Sequence, residues 1–192
     1  IIQDGNRRYA RKQGEDAPEG HREGANTSEQ VLNWCEELGI EELTLYAFST
    51  ENFERPPEER EPLFDIIEDK LYELADNDRV HDNGVEIRAI GEIDRLPARV
   101  REAIDYAESQ TAGYDGFRLN VALAYGGRNE LLRAARDVAT AVDEGELDTD
   151  EITPEAIEER LYRQPVRDVD LIIRTGGDER TSNFLPWHAN GN

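Results

Sequence analysis

The chain has 192 residues, enough for one domain with a full core, and carries 44 acidic against 22 basic side chains, a formal net charge of −22. That balance excludes nucleic-acid binding through phosphate contacts and a polybasic membrane anchor, both of which need clustered cations. Lys12 and Lys70 are the only lysines, and so acidic and lysine-poor a composition predicts a halophile's protein, kept hydrated in high salt by its carboxylates.

Taken in chain order, Ile1-Ile2 reads as the stump of a strand. It runs into the turn Asp4-Gly5 and then into Asn6, Arg7, Arg8 and Tyr9. A helical pattern over about 22–38 follows, in which Val31, Trp34, Cys35 and Leu38 recur at spacings of three and four and predict one buried face. Cys35 is the sole cysteine, so no internal disulfide can form, and a cytoplasmic setting is expected. Leu43–Phe48 reads as a strand, followed by the polar stretch Ser49-Thr50-Glu51-Asn52-Phe53-Glu54-Arg55. The pattern over 60–76 gives a helix with a broad apolar face of Leu63, Phe64, Ile66, Ile67, Leu71, Leu74 and Ala75, the stripe of a core helix.

Further strands are predicted at Val85–Ile90, Phe117–Ala124 and Val169–Ile173. Further helices are predicted over 97–111, 128–143 and 154–162, with Pro97 and Pro154 in the first turns of theirs. Asp143–Glu151 reads as an acidic surface loop. No apolar run approaches the roughly 18–20 residues that span a bilayer, and no signal peptide is visible. Strand-helix alternation with long crossovers predicts an α/β fold: a single domain over 1–192, cut short at both ends, with a mainly parallel central sheet flanked by helices.

Three predicted strands end in polar and charged groups. After Ile2 come Asp4, Gly5, Arg7 and Arg8, and after Phe48 comes Ser49 to Arg55. After Ile173 come Arg174, two glycines, Arg180 and Ser182. Any one of these reads as an ordinary turn with a solvated face. Together they match the rule that open α/β sheets bind ligands beyond the carboxyl ends of their strands. Glycines admit a close ligand, arginine forks suit phosphate oxygens, and Asp4 suits a hard cation bridged by phosphates. The combination points to a metal-diphosphate site.

Five segments carry a resemblance to a known family. They are Asp4 to Tyr9, Gly20-His21-Arg22-Glu23-Gly24, Leu43 to Arg55, Asn120 to Arg128, and Asp170 to Phe184. In this order the chain resembles the cis-prenyltransferases of the undecaprenyl (polyprenyl) diphosphate synthase family, and its Asn-Arg-Arg-Tyr start is similar to archaeal and eukaryotic members. The resemblance implies repeated head-to-tail condensation of isopentenyl diphosphate onto an allylic diphosphate, C15 or C20 and plausibly geranylgeranyl diphosphate. The product would be a long-chain polyprenyl diphosphate that serves as precursor of a glycosyl carrier lipid.

By residue match, the resemblance implies that Asp4 is catalytic and binds Mg2+, and that Gly5, Asn6, Arg7, Arg8 and His21 hold the allylic diphosphate. Ser49, Thr50 and Glu51 match substrate-contacting positions. Asn52 matches the family's proton acceptor, although an amide has no basic pKa near neutrality and a diphosphate oxygen or a relayed water suits the chemistry better. Tyr9 and Phe53 stand where many members have tryptophan, against prenyl carbon. Arg55, Arg174, Arg180, Thr181 and Ser182 match the substrate-binding positions of the isopentenyl diphosphate pocket. In the family the helix at 60–76 lines a hydrophobic tunnel for the growing chain, and members are homodimers with peripheral membrane contact for product release.

The pattern is not complete. Ala17 stands where many bacterial members carry an arginine, Glu179 replaces a histidine, and the family's second acidic metal ligand would fall just after Asn192. Trans-prenyltransferases are disfavoured because no Asp-Asp-x-x-Asp cluster occurs. A generic phosphate-binding domain would show no selectivity for isoprenoid diphosphates. The alternative within the family is a non-catalytic binding subunit, and such subunits tend to lose the Asp and Arg set that this chain keeps.

Overall fold

The computed structural model describes residues 1–14, 17–162 and 166–189; the side chains at 7, 17, 18, 21, 22, 25, 26, 28 and 29 lie outside the described set. Three strands, β1 (Glu42–Ser49), β2 (Val85–Ile90) and β3 (Phe117–Tyr125), form a parallel sheet in the order β1-β3-β2. Every residue of β3 from Leu119 to Tyr125 is buried, as a central parallel strand covered on both faces requires. Alternation sorts the side chains. Leu45, Ile87, Leu119, Val121 and Leu123 join one core with residues of α3 (Pro57–Ala75) and α5 (Ala98–Gln110). Tyr46, Ile90, Ala122 and Tyr125 join a second core with Tyr162, Phe184 and Leu185.

Beyond β1 the parallel order continues through single residues. Ile2 bridges Tyr46 on one side and Arg174 on the other. Ile2 N–H donates to the Ile173 carbonyl at 2.8 Å, and Thr175 N–H donates back to the Ile2 carbonyl at 3.3 Å. The expected strand Val169–Ile173 is therefore corrected to an extended edge segment that meets the sheet only at Arg174. Among the described residues it pairs with the short segment around Ile2, Val169 N–H donates to the His188 carbonyl at 2.9 Å, and Leu171 and Ile173 are 71% and 46% exposed, so this apolar run is not a buried strand.

The other helices are α1 (Asn6–Gln13), α2 (Ala17–Glu37), α4 (Asp78–Asp82), α6 (Gly127–Asp143) and α7 (Pro154–Glu158). α2 begins before the expected start at 22, and α7 stops short of 162. α4 was not expected; Asn77 starts it by accepting the Arg79 N–H at 3.0 Å. In α2, Cys35 is buried and Val31 and Leu32 pack on the core, whereas Trp34 and Leu38 are exposed, so the predicted face is rotated. The α1–α2 contact depends on two glycines. A Cβ on Gly20 would lie 2.4 Å from the Asn6 carbonyl oxygen, and one on Gly24 would lie 2.3 Å from Asn6 Nδ2.

Candidate active site

The carboxyl ends of β1, β3 and the segments around Ile2 and Arg174 point the same way, because all pair in parallel. That end gathers Asp4, the 3₁₀ turn Thr50–Glu54 and the loop 174–184.

Asp4 is the centre of the arrangement. Arg174 donates from Nε at 3.0 Å and Nη2 at 2.8 Å to the same oxygen, Asp4 Oδ2, and Arg8 Nη2 stands 3.5 Å from it. The hydrogen bonds from Arg174, aided by the charges of Arg174 and Arg8, hold the Asp4 carboxyl below its ordinary value of 3.8 against a weaker opposing effect of burial. The Asp4 backbone is clamped as well. Its N–H donates to Thr175 Oγ1 at 3.1 Å, and that hydroxyl donates to the Asp4 carbonyl at 2.7 Å. Gly176 lies directly against the carboxylate, since a Cβ there would fall 2.2 Å from Oδ2. Gly5 takes φ +97 as it opens α1, a conformation that glycine supplies without strain.

Arg174 also shapes its own loop. Nη1 donates to Ser182 Oγ at 2.5 Å and to the Arg180 carbonyl at 2.7 Å, and Nη2 donates to Asp178 at 3.1 Å. Arg174 is nearly covered, at 11% exposure, whereas the Arg180 side chain is 75% exposed and meets Asp178 at 3.3 Å. Thr181 is exposed, and its carbonyl accepts the Phe184 N–H at 3.2 Å. Ser182 is half-buried at φ +50, and Phe184 stacks on Tyr46 with centroids 4.7 Å apart.

At the end of β1, Ser49, Thr50, Asn52 and Arg55 are half-buried and Glu51 is exposed. Asn52 Oδ1 accepts the Ser49 N–H at 3.0 Å. Phe53 does not stand free for a ligand; its ring meets Phe48 edge-on at 5.0 Å. Asn6 and Tyr9 are brought to the same region, Tyr9 being 53% exposed. Arg7 lies on α1 and His21 on α2, but their side chains fall outside the described set, as does that of Ala17.

Two cavities meet here. The larger, of ≈ 430 Å³, carries the Asp4 and Glu23 carboxylates in a wall that also includes Tyr9, Thr175, Ile1 and Val31. An apolar one of ≈ 100 Å³ runs between α2, α3 and the sheet, lined by Leu32, Ala47, Leu63, Ile66, Ile67 and Leu74 among others. Gln3, Asn6 and Leu45 belong to both walls, so the two cavities are neighbours. The α3 stripe expected from the sequence thus faces a cavity as well as the core.

Among the described residues no three His, Cys, Asp or Glu side chains converge on one point. A single ionised carboxylate beside a roomy cavity nevertheless fits Mg2+, which takes one or two carboxylates and completes its shell with substrate phosphates and water. Thr175, Asp178 and Asn183 were not singled out by sequence reasoning. Asn183, at φ +64, accepts the Arg128 N–H on Oδ1 at 2.7 Å and the Gly127 N–H on its carbonyl at 2.9 Å, tying the loop to the start of α6. Its tolerance of left-handed backbone was the only signal available.

Comparison with known proteins identifies the family. The family model described as putative undecaprenyl diphosphate synthase matches residues 2–192. The chain is 70% identical over 191 residues to the tritrans,polycis-undecaprenyl-diphosphate synthase (geranylgeranyl-diphosphate specific) of Halobacterium salinarum, covering 100% of this chain and 63% of that protein. It is 49% identical over 189 residues to the same-named protein of Methanopyrus kandleri, covering 98% of this chain and 70% of the other. The chain thus spans less than two thirds of the haloarchaeal relative. Among solved structures, lavandulyl diphosphate synthase from Lavandula x intermedia in complex with dimethylallyl diphosphate superposes with a TM-score of 0.93 at 35% identity, over 98% of this chain and 80% of that one. A probable undecaprenyl diphosphate synthase from Campylobacter jejuni gives 0.77 at 34%, over 98% and 79%.

Proposed function

Because the chain belongs to the undecaprenyl diphosphate synthase family, we propose that it is a cis-prenyltransferase. It condenses isopentenyl diphosphate repeatedly onto an allylic prenyl diphosphate, with geranylgeranyl diphosphate as the favoured starter and a long-chain polyprenyl diphosphate as product. The names of the archaeal relatives support the starter. The observation that carries the reading is the adjacency of the two cavities: a chamber with Asp4 in its wall shares Gln3, Asn6 and Leu45 with an apolar one.

In each cycle the allylic C–O bond breaks and diphosphate leaves. A C–C bond forms to the isopentenyl double bond, and a proton departs from the isopentenyl unit. Gly5, Asn6, Arg7 and Arg8 bind the allylic diphosphate at the start of α1, where free N–H groups favour an anion, and by residue match His21 belongs to the same subsite. Asp4 holds Mg2+, which when bound neutralises charge on the leaving diphosphate. Arg174 orders the loop that carries Arg180, Thr181 and Ser182, and with Arg55 these bind isopentenyl diphosphate through charge-assisted bonds. Ser49, Thr50 and Glu51 align it. Asn52 orients the acceptor of the departing proton, a diphosphate oxygen or a water, because its own amide is not basic. Tyr9 flanks the prenyl carbon, and Phe53 braces the turn from beneath.

The same reading includes a cytoplasmic homodimer. A single buried cysteine supports the compartment, and the exposed Leu171 and Ile173 on the sheet edge support an association surface. The test is extension by the full-length protein, using radiolabelled isopentenyl diphosphate, C10, C15 and C20 starters, and chromatographic sizing of products. Elongation that is fastest with the C20 starter is expected; absence of any elongation overturns the reading.

A further inference from the structure

We propose that Arg95 is a positioning residue that holds the Asn52-bearing turn in its working geometry; this rests on the role given to Asn52 above. Arg95 lies in the 3₁₀ turn Ile93–Arg95 after β2, outside every motif that marks the family. Its guanidinium carbon sits 4.4 Å from the centroid of the Phe53 ring. Phe53 follows Asn52 in the turn Thr50–Glu54, and its ring also meets Phe48 at 5.0 Å and Phe64 at 6.4 Å. Its carbonyl accepts Arg60 Nη1 at 3.1 Å. The turn, which contains the Ser49 N–H to Asn52 Oδ1 bond, is therefore held through Phe53 by two aromatic rings and a cationic cap.

The cap is itself fixed. Arg95 Nη1 donates to Glu92 Oε2 at 2.5 Å. The other oxygen of Glu92 accepts from Tyr162 Oη and Asn129 Nδ2, each at 3.2 Å, and the Glu92 N–H donates to the Ala124 carbonyl at 3.2 Å. β3, the start of α6 and the segment after α7 thus determine where the guanidinium lies. A half-exposed ion pair contributes little to stability alone. An anchor tied to three elements is what precise placement of Phe53, and through it Asn52, requires.

The experiment compares Arg95→Ala, Arg95→Lys and Arg95→Gln in the full-length protein, reading kcat, both KM values and amide hydrogen exchange. Arg95→Ala is expected to lower kcat about ten-fold and to raise exchange of the Ser49 amide by a similar factor, with Tm nearly unchanged. Arg95→Lys, which keeps a cation over the ring, should recover most of both effects, and Arg95→Gln should not. Arg95→Ala combined with Phe53→Leu should cost no more in kcat than Phe53→Leu alone. Unchanged exchange at Ser49 in Arg95→Ala, or equal behaviour of the Lys and Gln variants, overturns the proposal. If the wild-type protein elongates nothing, the proposed function fails, and the exchange comparison still decides the part played by Arg95.

Discussion

Arg174 and Asp4, 170 positions apart in the chain, share one carboxylate oxygen through two donors at 2.8 and 3.0 Å. The pair ties the segment around Ile2 to the loop after Arg174 and holds in its ionised form the carboxylate that the proposed function assigns to Mg2+. It also means that Asp4 has a partner before any substrate arrives, so its charge is neither free nor uncompensated.

Asp4→Asn keeps the shape of the side chain and removes its charge. Turnover should fall on the order of a thousand-fold while Tm moves by only a few degrees, because the Thr175 clamp acts on the Asp4 backbone and survives. Steady-state extension kinetics beside a thermal melt check this; near-normal turnover in a folded variant refutes the assignment.

Arg180 and Arg174 should separate in their effects. Arg180 is a surface side chain, so Arg180→Ala should leave stability within about 0.5 kcal/mol and raise KM for isopentenyl diphosphate more than for the starter. Arg174→Ala should raise the same KM and also lower Tm, because Asp4, Ser182 and the Arg180 carbonyl all lose a donor. Denaturation curves and KM values for both substrates distinguish the two variants.

Stability should fall towards acid pH. Arg174 depresses the folded pKa of Asp4, so the unfolded chain takes up that proton first. The contribution of the pair is complete above the ordinary 3.8 and is lost as pH drops through the depressed value. His188 acts in the same direction at higher pH. Burial lowers its pKa from 6.5, so its neutral form stabilises the fold above that value, and the advantage is lost as pH falls through the lowered one. Melts between pH 8 and pH 5 should decline, and His188→Gln should flatten that window; a slope unchanged in the variant counts against the assignment.

The two glycines under Asn6 give a further test. Gly24→Ala forces a methyl against the Asn6 amide and Gly20→Ala forces one against its backbone carbonyl, each expected to cost about 1–3 kcal/mol. Because Asn6 lines both cavities, KM for the starter should rise as Tm falls. Measured together, a stability loss without a KM change would detach this contact from the site.

Screening should matter unusually far. With a net charge of −22, Tm should climb as KCl rises from roughly 0.1 M to a few molar, past the point where a Debye length of about 3 Å has removed simple repulsion. A flat or falling midpoint by circular dichroism would refute the halophilic reading and leave the enzyme reading untouched.

β1, β2 and β3 were legible in the sequence because each has apolar residues on both faces and is bounded by turn residues. Val169–Ile173 has the same composition, yet only one side of it is paired, and no local pattern reports a missing neighbour. The site residues were legible through the order of motifs, since spacing alone could not place Arg174 on Asp4. Gly20 and Gly24 were read as the frame of His21, whereas their measurable task is to let α2 approach α1. Trp34 and Leu38 misled because a three-and-four spacing fixes a stripe but not which flank of it turns inward. Arg95 was invisible because its partners, Phe53 and Glu92, come from different turns.

The shared wall of Gln3, Asn6 and Leu45 has a practical consequence. On the proposed function, a substrate that fills both chambers is a surfactant in shape, with a small anionic head for the Asp4 end and an oily tail for the apolar cavity. Detergents of that build should compete for the same space, so the apparent KM for the starter should depend on the solubiliser, and a homologous series of alkyl phosphates would gauge how deep the oily chamber extends.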